Sequence, residues 1–124
     1  MWQYSQSTGA LTAPDGSLAG SGYSGGHGEG VNAPQMQNVA DVGPIPQGFW
    51  AIGAPYTDPE KGPLVMRLTP DGSTETFGRS GFLIHGDLVG HVGAELASHG
   101  CIILSHALRQ AIATSEDSNL LVNP

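Results

Sequence analysis

The sequence predicts a mainly β protein: a single β-sandwich or barrel domain spanning residues 1–124, with one short helix after Cys101. Three observations favour this fold class. The chain has 124 residues, which is enough to bury one hydrophobic core but too short for two. Its apolar residues, 39% of the total, fall in short runs typical of strands. Nineteen glycines and nine prolines lie between those runs, where they set the backbone angles that turns require.

The N-terminal part of the chain predicts a β-hairpin followed by a surface loop. Trp2 and Tyr4 alternate with polar residues, as in a half-buried strand, and a turn at Thr8-Gly9 returns the chain towards Leu11. Residues 20–30 contain six glycines in eleven positions. Because such a run cannot pack a core face, we expect a surface loop. Two of its residues are either ordinary exposed loop residues or ligand contacts: Tyr23 and His27.

The centre and the C-terminal part of the chain predict further strands and one helix. A rigid turn at residues 43–48 precedes a β-prone run at 49–52. The next strand pair consists of residues 64–68, in which Leu64, Met66 and Leu68 alternate with other residues, and of a segment that ends at residues 81–85. After the apolar run 102–104, Ser105 caps a helix, and residues 120–122 form a last strand. We expect Leu108, Ala111 and Ile112 to lie on one apolar face of this helix.

The charge of the chain excludes several classes of partner. The net charge is −7, with only four Lys and Arg residues, so no basic run is present that could neutralise a row of phosphates or anionic lipids. No stretch approaches the ~20 apolar residues that cross a bilayer. The first residues lack the features of a secretory signal, so we expect synthesis in the cytoplasm and export by another route.

Cys101 is the single cysteine of the chain and lies close in sequence to two histidines. A free thiol is only a few per cent ionised near neutral pH, so a nucleophilic thiol needs an imidazole to accept its proton. His99 is two residues away, where side chains of an extended chain point outwards in parallel. His85, at the end of a predicted strand, can approach from a neighbouring strand and is therefore the expected base. Gly100 allows a close approach of the backbone, so that amides can bind a developing oxyanion.

These residues carry a resemblance to a known family. His85-Gly86, a spacer, and then Ser98-His99-Gly100-Cys101 resemble the catalytic signature of the L,D-transpeptidases. Further residues look like the small L,D-transpeptidase effectors delivered by type VI secretion, and they extend the resemblance over nearly the whole chain. They are Trp2, Tyr4, Gly9, Gly22-Tyr23-Ser24-Gly25, Gly43-Pro44-Ile45-Pro46, Gly62-Pro63, Arg79, Gly81-Phe82 and Arg109. Ile103 is a departure, because many L,D-transpeptidases have arginine there, so a substrate contact made by that arginine is not carried over.

The resemblance implies cleavage of peptidoglycan tetrapeptide stems between the third residue and the terminal D-alanine. Cys101 would form a thioester that water or a free D-amino acid resolves, which gives an L,D-carboxypeptidase or an exchange reaction. His85 would be the base, and the Gly86 carbonyl would hold its tautomer. Gly100 and Ser98 would help to form the oxyanion hole or to orient the catalytic groups. The expected substrate contacts are His99, Tyr23 and Arg79, although Arg79 could equally form an ordinary surface ion pair.

Partners and location are also expectations from the resemblance. We expect a monomer that needs no cofactor, binds neither nucleic acid nor membrane, and acts as an antibacterial toxin in the periplasm of a target cell. A periplasmic immunity protein is the expected partner in the producing cell.

Three alternatives remain at this point. A zinc-dependent cell-wall peptidase is one, because five potential ligands crowd into 17 residues: His85, Asp87, His91, His99 and Cys101. A papain-type or amidase-type cysteine hydrolase is the second, although that class commonly places its cysteine before its histidine. The third is a cell-wall binding module that keeps the fold without turnover.

Overall fold

A computed structural model describes residues 1–87 and 98–124. The described part of the chain contains ten β-strands, one α-helix and one 3₁₀ turn at Pro34–Met36. The strands are β1 Trp2–Ser5, β2 Ala10–Thr12, β3 Leu18–Ser21, β4 Tyr23–Ser24, β5 Gly48–Ile52, β6 Tyr56–Asp58, β7 Gly62–Pro70, β8 Leu83–His85, β9 Ile102–Ile103 and β10 Asn119–Asn123; the helix is α1 His106–Thr114. The prediction of a mainly β fold with a helix after Cys101 is therefore confirmed. No helix in this part of the chain has the length and apolar character needed to cross a membrane.

The strands form one strongly curved sheet that nearly closes into a barrel. Its order is β3-β2-β1-β10-β5-β7-β8-β9-β4, with β6 paired to β7 beside this path. The two edge strands, β3 and β4, follow each other in sequence and are separated only by Gly22, so the chain itself joins the two edges. Parallel pairing occurs between β1 and β10 and between β8 and β9. The second of these pairs sets the relation between His85 and Cys101.

The core fills the inside of this sheet and is covered at one side by α1. Trp2 and Tyr4 of β1 point inwards, as their alternation predicts, and Trp50 of β5 packs edge-on against the ring of Phe82 at 5.1 Å. Most of the other residues of this core come from the remaining strands and the helix, and Ile45 and Leu104 come from loops. They are Leu11, Ile45, Ile52, Met66, Leu68, Ile84, Ile102, Leu104, Ile112, Leu120 and Val122.

Only part of the glycine-rich segment is the surface loop that its composition predicts, namely the exposed turn at residues 27–29. Tyr23 and Ser24 within it form β4 and are buried, with exposed fractions of 6% and 0%. A Cβ atom at Gly22 would lie 1.9 Å from the Ile103 carbonyl oxygen, and one at Gly26 would lie 2.2 Å from the Ser98 carbonyl oxygen. The glycines therefore allow close backbone packing of the segment against β9 and the residues before it, and this packing takes the place of a side-chain core face.

Two smaller expectations also need correction. In β7 the alternation is broken, because Val65 is buried and the half-buried Leu64 has a positive φ of 56°. The reason lies in Arg109 of α1, whose guanidinium donates to the carbonyl oxygens of Pro63 and Leu64 and holds this irregular stretch. In α1, Ser105 caps the helix by accepting from the Leu108 amide, as predicted, but the buried face consists of Arg109 and Ile112, and Ala111 is exposed.

Candidate active site

His85 ends β8 as a buried imidazole that is fixed at one nitrogen. Its Nδ1 lies 2.8 Å from the Gly86 carbonyl oxygen. Since a carbonyl only accepts, Nδ1 carries the proton and the Nε2 lone pair is directed elsewhere. Nε2 is buried and has no hydrogen-bond partner among residues 1–87 and 98–124. A buried nitrogen of this kind is unusual in a folded protein, which makes His85 a candidate site residue.

Burial keeps the His85 ring neutral. Burial, the largest effect, lowers the pKa of His85 below its ordinary value; the Gly86 hydrogen bond raises it in part, while the cations of Lys61 and Arg109 lower it further and Asp58 raises it. The ring is therefore an unprotonated base near neutral pH.

The strand register brings His85 and Cys101 to neighbouring strands. Ile84 pairs with Ile102 and His85 with Ile103 in the parallel β8–β9 pair. Cys101 immediately precedes β9, two positions before the residue that pairs with His85. The register therefore brings the end of β8 next to the start of β9, directly after Cys101. The ammonium of Lys61 lowers the pKa of both groups, so one cation acts on both.

Cys101 is half-buried and opens into a pocket. The pocket has a volume of about 310 Å³ and is lined by Ala40, Asp41, Gly78, Arg79, Ser80, Gly81, Phe82, His99 and Cys101. Burial raises the pKa of the Cys101 thiol above its ordinary value, and the Leu83 amide and the cations of Lys61 and Arg79 lower it in part. The resting group is thus a neutral thiol, and the thiolate forms only when a base takes the proton.

The loop that carries Cys101 is held by hydrogen bonds to three successive carbonyl groups. Arg79 donates to the His99 carbonyl at 3.3 Å, Ser24 to the Gly100 carbonyl at 2.9 Å, and Ser98 to the Cys101 carbonyl at 2.7 Å. Ser24, Ser98 and Arg79 are all buried. Three side chains from three segments therefore fix the backbone around the thiol.

Two of the predicted substrate contacts are committed to the protein itself. The Arg79 guanidinium donates to the carbonyl oxygens of Gln37, Gly43, Pro44 and His99. Arg79 lines the pocket. Because its guanidinium is bonded to carbonyl groups, it forms neither a surface ion pair nor the bidentate contact with a substrate carboxylate that the sequence also allowed. The Tyr23 hydroxyl donates to the Asp87 carboxylate at 2.8 Å, and Tyr23 does not line the pocket. The carboxylate of Asp87 thus serves to hold β4.

The third predicted contact, His99, does lie on the pocket wall beside Cys101. Its ring is packed edge-on against that of His27, with ring centroids 5.7 Å apart. His27 has a positive φ of 57° in the glycine-rich segment. The structure therefore gathers an imidazole pair at one side of the thiol.

The oxyanion role expected for Gly100 needs a correction. Its amide donates to the Ser98 hydroxyl at 3.0 Å and is therefore not directed at a substrate. The Ser98 hydroxyl also accepts from the Gly25 amide, so Ser98 connects the glycine-rich segment to the loop as an orienting residue. Gly100 itself has a φ of 133°, which only glycine adopts readily. Its contribution is the shape of the loop.

Sequence reasoning missed Ser24 and Lys61. Ser24 lies in a run of glycines, where composition favours an exposed loop, and only the pairing of β4 with β9 places its hydroxyl against Gly100. Lys61 lies in the turn between β6 and β7, and its charge lowers the pKa of both His85 and Cys101. Nothing local in either segment signals these long-range effects.

The clustering of potential zinc ligands does not reappear in the described residues. No group of three His, Cys, Asp or Glu side chains within residues 1–87 and 98–124 has the spacing needed to hold a metal ion. His91, one of the five residues considered from the sequence, lies outside the described residues.

A family comparison decides the classification. The model of the Tlde1 domain matches residues 19–122. The chain belongs to the Tlde1 domain family. This is the type VI secretion L,D-transpeptidase effector family, so the resemblance that the Ser-His-Gly-Cys signature carries is confirmed.

The fold of this Tlde1 domain is also that of a solved enzyme. An L,D-transpeptidase from Mycobacterium smegmatis superposes with a TM-score of 0.56 at 19% identity, over 99% of this chain. The chain spans 58% of the length of that protein. Among curated proteins, none matches the sequence significantly. Family and fold together support a cell-wall-targeting, L,D-transpeptidase-like protein.

Proposed function

We propose that this Tlde1 domain is a cysteine-dependent acyl-transfer enzyme acting on peptidoglycan tetrapeptide stems. It would act as an L,D-carboxypeptidase, as an L,D-transpeptidase that exchanges D-amino acids, or as both. The observation that carries the proposal is the state of His85: a buried ring with Nδ1 bonded to Gly86 and Nε2 unpartnered within the described residues. Nε2 accepts no hydrogen bond from the described residues, so it is free to accept a proton. His85 lies on β8, which pairs with β9 directly after Cys101.

The acylation step follows from these groups. The Cys101 sulfur attacks the carbonyl carbon of the bond before the terminal D-alanine, and the thiol proton passes to Nε2 of His85. The carbonyl oxygen becomes an oxyanion, which we expect the amide of Cys101 to bind, since that of Gly100 donates to Ser98. When the carbonyl re-forms, the C–N bond breaks and the D-alanine nitrogen takes the proton from Nε2. The products are a thioester at Cys101 and free D-alanine.

Deacylation runs through the same base. Water, or the amine of a free D-amino acid, gives a proton to His85 as it attacks the thioester carbonyl, and the Cys101 sulfur leaves and regains that proton. Hydrolysis releases a tripeptide stem, whereas attack by the amine leaves a stem with a different terminal residue. Either product lacks the normal donor for crosslinking.

The pocket fits a small terminal group. Its volume of about 310 Å³ lies at the lower end of ligand-binding clefts. His99 on its wall can donate to or accept from a peptide group of the stem. Arg79, with its guanidinium bonded to four carbonyls, contributes a positive charge near the thiol and holds the loop, in place of a direct bidentate contact.

We further propose that the domain is an effector that works outside the cell that makes it. Its family is the type VI secretion effector family, and peptidoglycan lies in the periplasm of the target. A producing cell then needs a periplasmic immunity protein, which we expect to cover the pocket at Cys101. We expect the effector itself to act as a monomer.

Muropeptide analysis tests the reaction. Purified protein incubated with tetrapeptide muropeptides should release D-alanine, detected by mass spectrometry, and adding a free D-amino acid should divert part of the product to the exchanged stem. Cys101→Ala should abolish both products while the circular dichroism spectrum stays unchanged. Turnover by Cys101→Ala would defeat the proposal. Loss of wild-type turnover with EDTA, together with one equivalent of bound zinc, would favour a zinc peptidase.

Expression in a bacterial host tests the effector role. The domain fused to a periplasmic signal should cause swelling or a growth defect, and the Cys101→Ala form, exported at the same level, should not. Normal growth with active enzyme in the periplasm would contradict the toxin role and leave the chemistry standing.

A further inference from the structure

Ser24 occupies a position in the fold that the acyl-transfer chemistry depends on. It lies on β4 with no exposed surface, and its hydroxyl bridges two backbone groups: it donates to the Gly100 carbonyl at 2.9 Å and accepts from the Ile45 amide at 2.9 Å. Both bonds reach residues far away in sequence. A fully buried serine with both bonds satisfied orients the groups that it joins.

The bond to Gly100 sets the direction of the peptide before Cys101. In the regular ladder, the N–H and C=O of alternate β9 residues face β8, as the Leu104 amide does when it donates to the His85 carbonyl. The Gly100 carbonyl would continue that alternation towards β8. It points instead to Ser24 on β4, at the opposite side of β9. The peptide between Gly100 and Cys101 is thus turned over, and the φ of 133° at Gly100 makes this possible.

The turned peptide sends the Cys101 amide to the side of the thiol. In a trans peptide the N–H and the C=O point in opposite directions, so a Gly100 carbonyl aimed at β4 aims the Cys101 N–H towards β8. The Cys101 sulfur lies on the same side, 3.9 Å from the Gly81 carbonyl oxygen. The amide is therefore directed to where an oxyanion forms as that sulfur attacks a carbonyl.

Arg79 secures the preceding peptide in the same manner. It donates to the His99 carbonyl and to carbonyls of the segment at residues 37–44, and its charged plane stacks on Phe82 at 5.1 Å. Gly100 packs directly against it, because a Cβ there would lie 2.5 Å from Nη2 of Arg79. Two successive carbonyls are thus held from two sides of the loop.

We propose that Ser24, together with Arg79, is a positioning residue for acyl transfer. Ser24 holds the Gly100 carbonyl towards β4, so that the Cys101 amide faces the oxyanion. This inference rests on the proposed function only in that Cys101 is an acyl-transfer nucleophile. It assigns Ser24 no contact with substrate.

Two small reagents separate this role from a general structural one. p-Nitrophenyl acetate acetylates a thiol through a tetrahedral oxyanion, whereas iodoacetamide alkylates a thiol by displacing iodide, with no oxyanion. In Ser24→Ala, the rate of Cys101 acetylation should fall by about tenfold or more. The rate is measured from the nitrophenolate released and from the mass of the acetylated peptide. Alkylation should stay within about twofold of wild type at each pH, because the surroundings of the thiol itself are unchanged.

The control is Ser105→Ala, which removes a hydroxyl that caps α1 and does not touch residues 98–101. It should lower the melting temperature and leave both reactions at the wild-type rate. If Ser24→Ala does not fold, Arg79→Lys carries the test: it keeps the charge near the thiol, loses the planar fork, and should slow acetylation while sparing alkylation.

Several results would overturn the inference. Acetylation of folded Ser24→Ala at the wild-type rate would show that the hydroxyl does not position the amide. If Ser24→Ala does not fold, acetylation of Arg79→Lys at the wild-type rate would overturn the inference. Equal losses in both reactions by folded Ser24→Ala would show that the hydroxyl supports the loop as a whole and not the oxyanion site, and would overturn the inference. A wild-type Cys101 that is alkylated but not acetylated would mean that no oxyanion site exists. None of these results depends on muropeptide turnover, whose absence would defeat the proposed function instead.

Discussion

The Nδ1 atom of His85 lies 2.8 Å from the carbonyl oxygen of Gly86, and burial lowers the pKa of the same ring. The contact fixes the neutral tautomer in which Nε2 accepts a proton. The whole reaction scheme depends on this nitrogen, because burial also raises the pKa of Cys101 and leaves the thiol protonated.

The pH dependence of activity should reflect the lowered pKa of His85. An ordinary imidazole, with a pKa of 6.5, is half protonated at that pH, whereas His85 remains neutral there. We expect kcat/KM for D-alanine release to hold below pH 6.5 and to decline only as pH falls through the folded pKa. His85→Gln should be slower by about 10²–10⁴-fold. An acid limb at or above pH 6.5 would contradict the assignment.

The same group should make folding stability depend on pH. Between the folded pKa of His85 and 6.5, the unfolded chain binds more protons than the folded chain. Stability should therefore decrease as pH falls from 6.5 through this window and level off below it. Urea unfolding at a series of pH values should show that His85→Gln loses less stability on acidification than wild type. Equal losses in the two proteins would mean that the ring is not buried neutral.

The thiol of Cys101 should react slowly at neutral pH in the free enzyme. Because burial raises its pKa, the iodoacetamide rate should climb with pH to a midpoint above 9.0, the ordinary value. Arg79→Gln removes a cation that lowers this pKa, and so it should move the midpoint higher, while Arg79→Lys should leave it near that of wild type. A wild-type midpoint below 9.0 would indicate a preformed thiolate instead.

Gly86→Ala should disturb both the fold and the base. A Cβ at Gly86 would lie 2.7 Å from Nη2 of Arg109 in α1. The Arg109 side chain donates hydrogen bonds to the carbonyls of Pro63, Leu64 and Leu104. We expect a loss of about 1–3 kcal/mol in the free energy of unfolding, measured in urea.

The matched control for this substitution is Gly72→Ala. A Cβ at Gly72 meets nothing within 4 Å, and its φ is not in the left-handed region. Its free energy of unfolding should stay within about 0.5 kcal/mol of wild type. A Gly86→Ala protein as stable as Gly72→Ala would mean that Arg109 moves aside without losing its hydrogen bonds.

Tyr4→Phe should not destabilise the protein. The Tyr4 hydroxyl is fully buried and has no hydrogen-bond partner within residues 1–87 and 98–124, and burial raises its pKa strongly. Removing an unsatisfied hydroxyl while keeping the ring should leave the free energy of unfolding unchanged or raise it by about 1 kcal/mol. A loss above about 1 kcal/mol in urea unfolding would show that the hydroxyl has a partner in the folded protein.

Much of the β architecture was predictable, because alternation and turn residues act locally. Trp2 and Tyr4 point inwards as their spacing indicates, and Ser105 caps α1 through the Leu108 amide. The irregular part of β7 was not predictable. Leu64 adopts a positive φ there, and Arg109, 45 residues further along, bonds to its carbonyl.

The glycine-rich segment shows why composition misled. Six glycines in eleven residues usually mean an exposed loop, because such a run has little side chain to bury. Here the absence of Cβ atoms lets the backbone of Gly22 and Gly26 touch that of Ile103 and Ser98. A close approach between backbones distant in sequence leaves no local signal, so the buried β4 strand could not be inferred.

The sequence by itself determined the family, since a histidine-glycine pair and a Ser-His-Gly-Cys run carry the resemblance that the Tlde1 match confirms. Only the tertiary structure decided how those groups are oriented. The parallel pairing of β8 with β9 brings together the segments that carry His85 and Cys101, and Ser24 and Arg79 donate hydrogen bonds to carbonyls of the loop. The physical reason is that reactivity belongs to a residue type, whereas the direction of an amide or a lone pair is set by hydrogen bonds from distant segments.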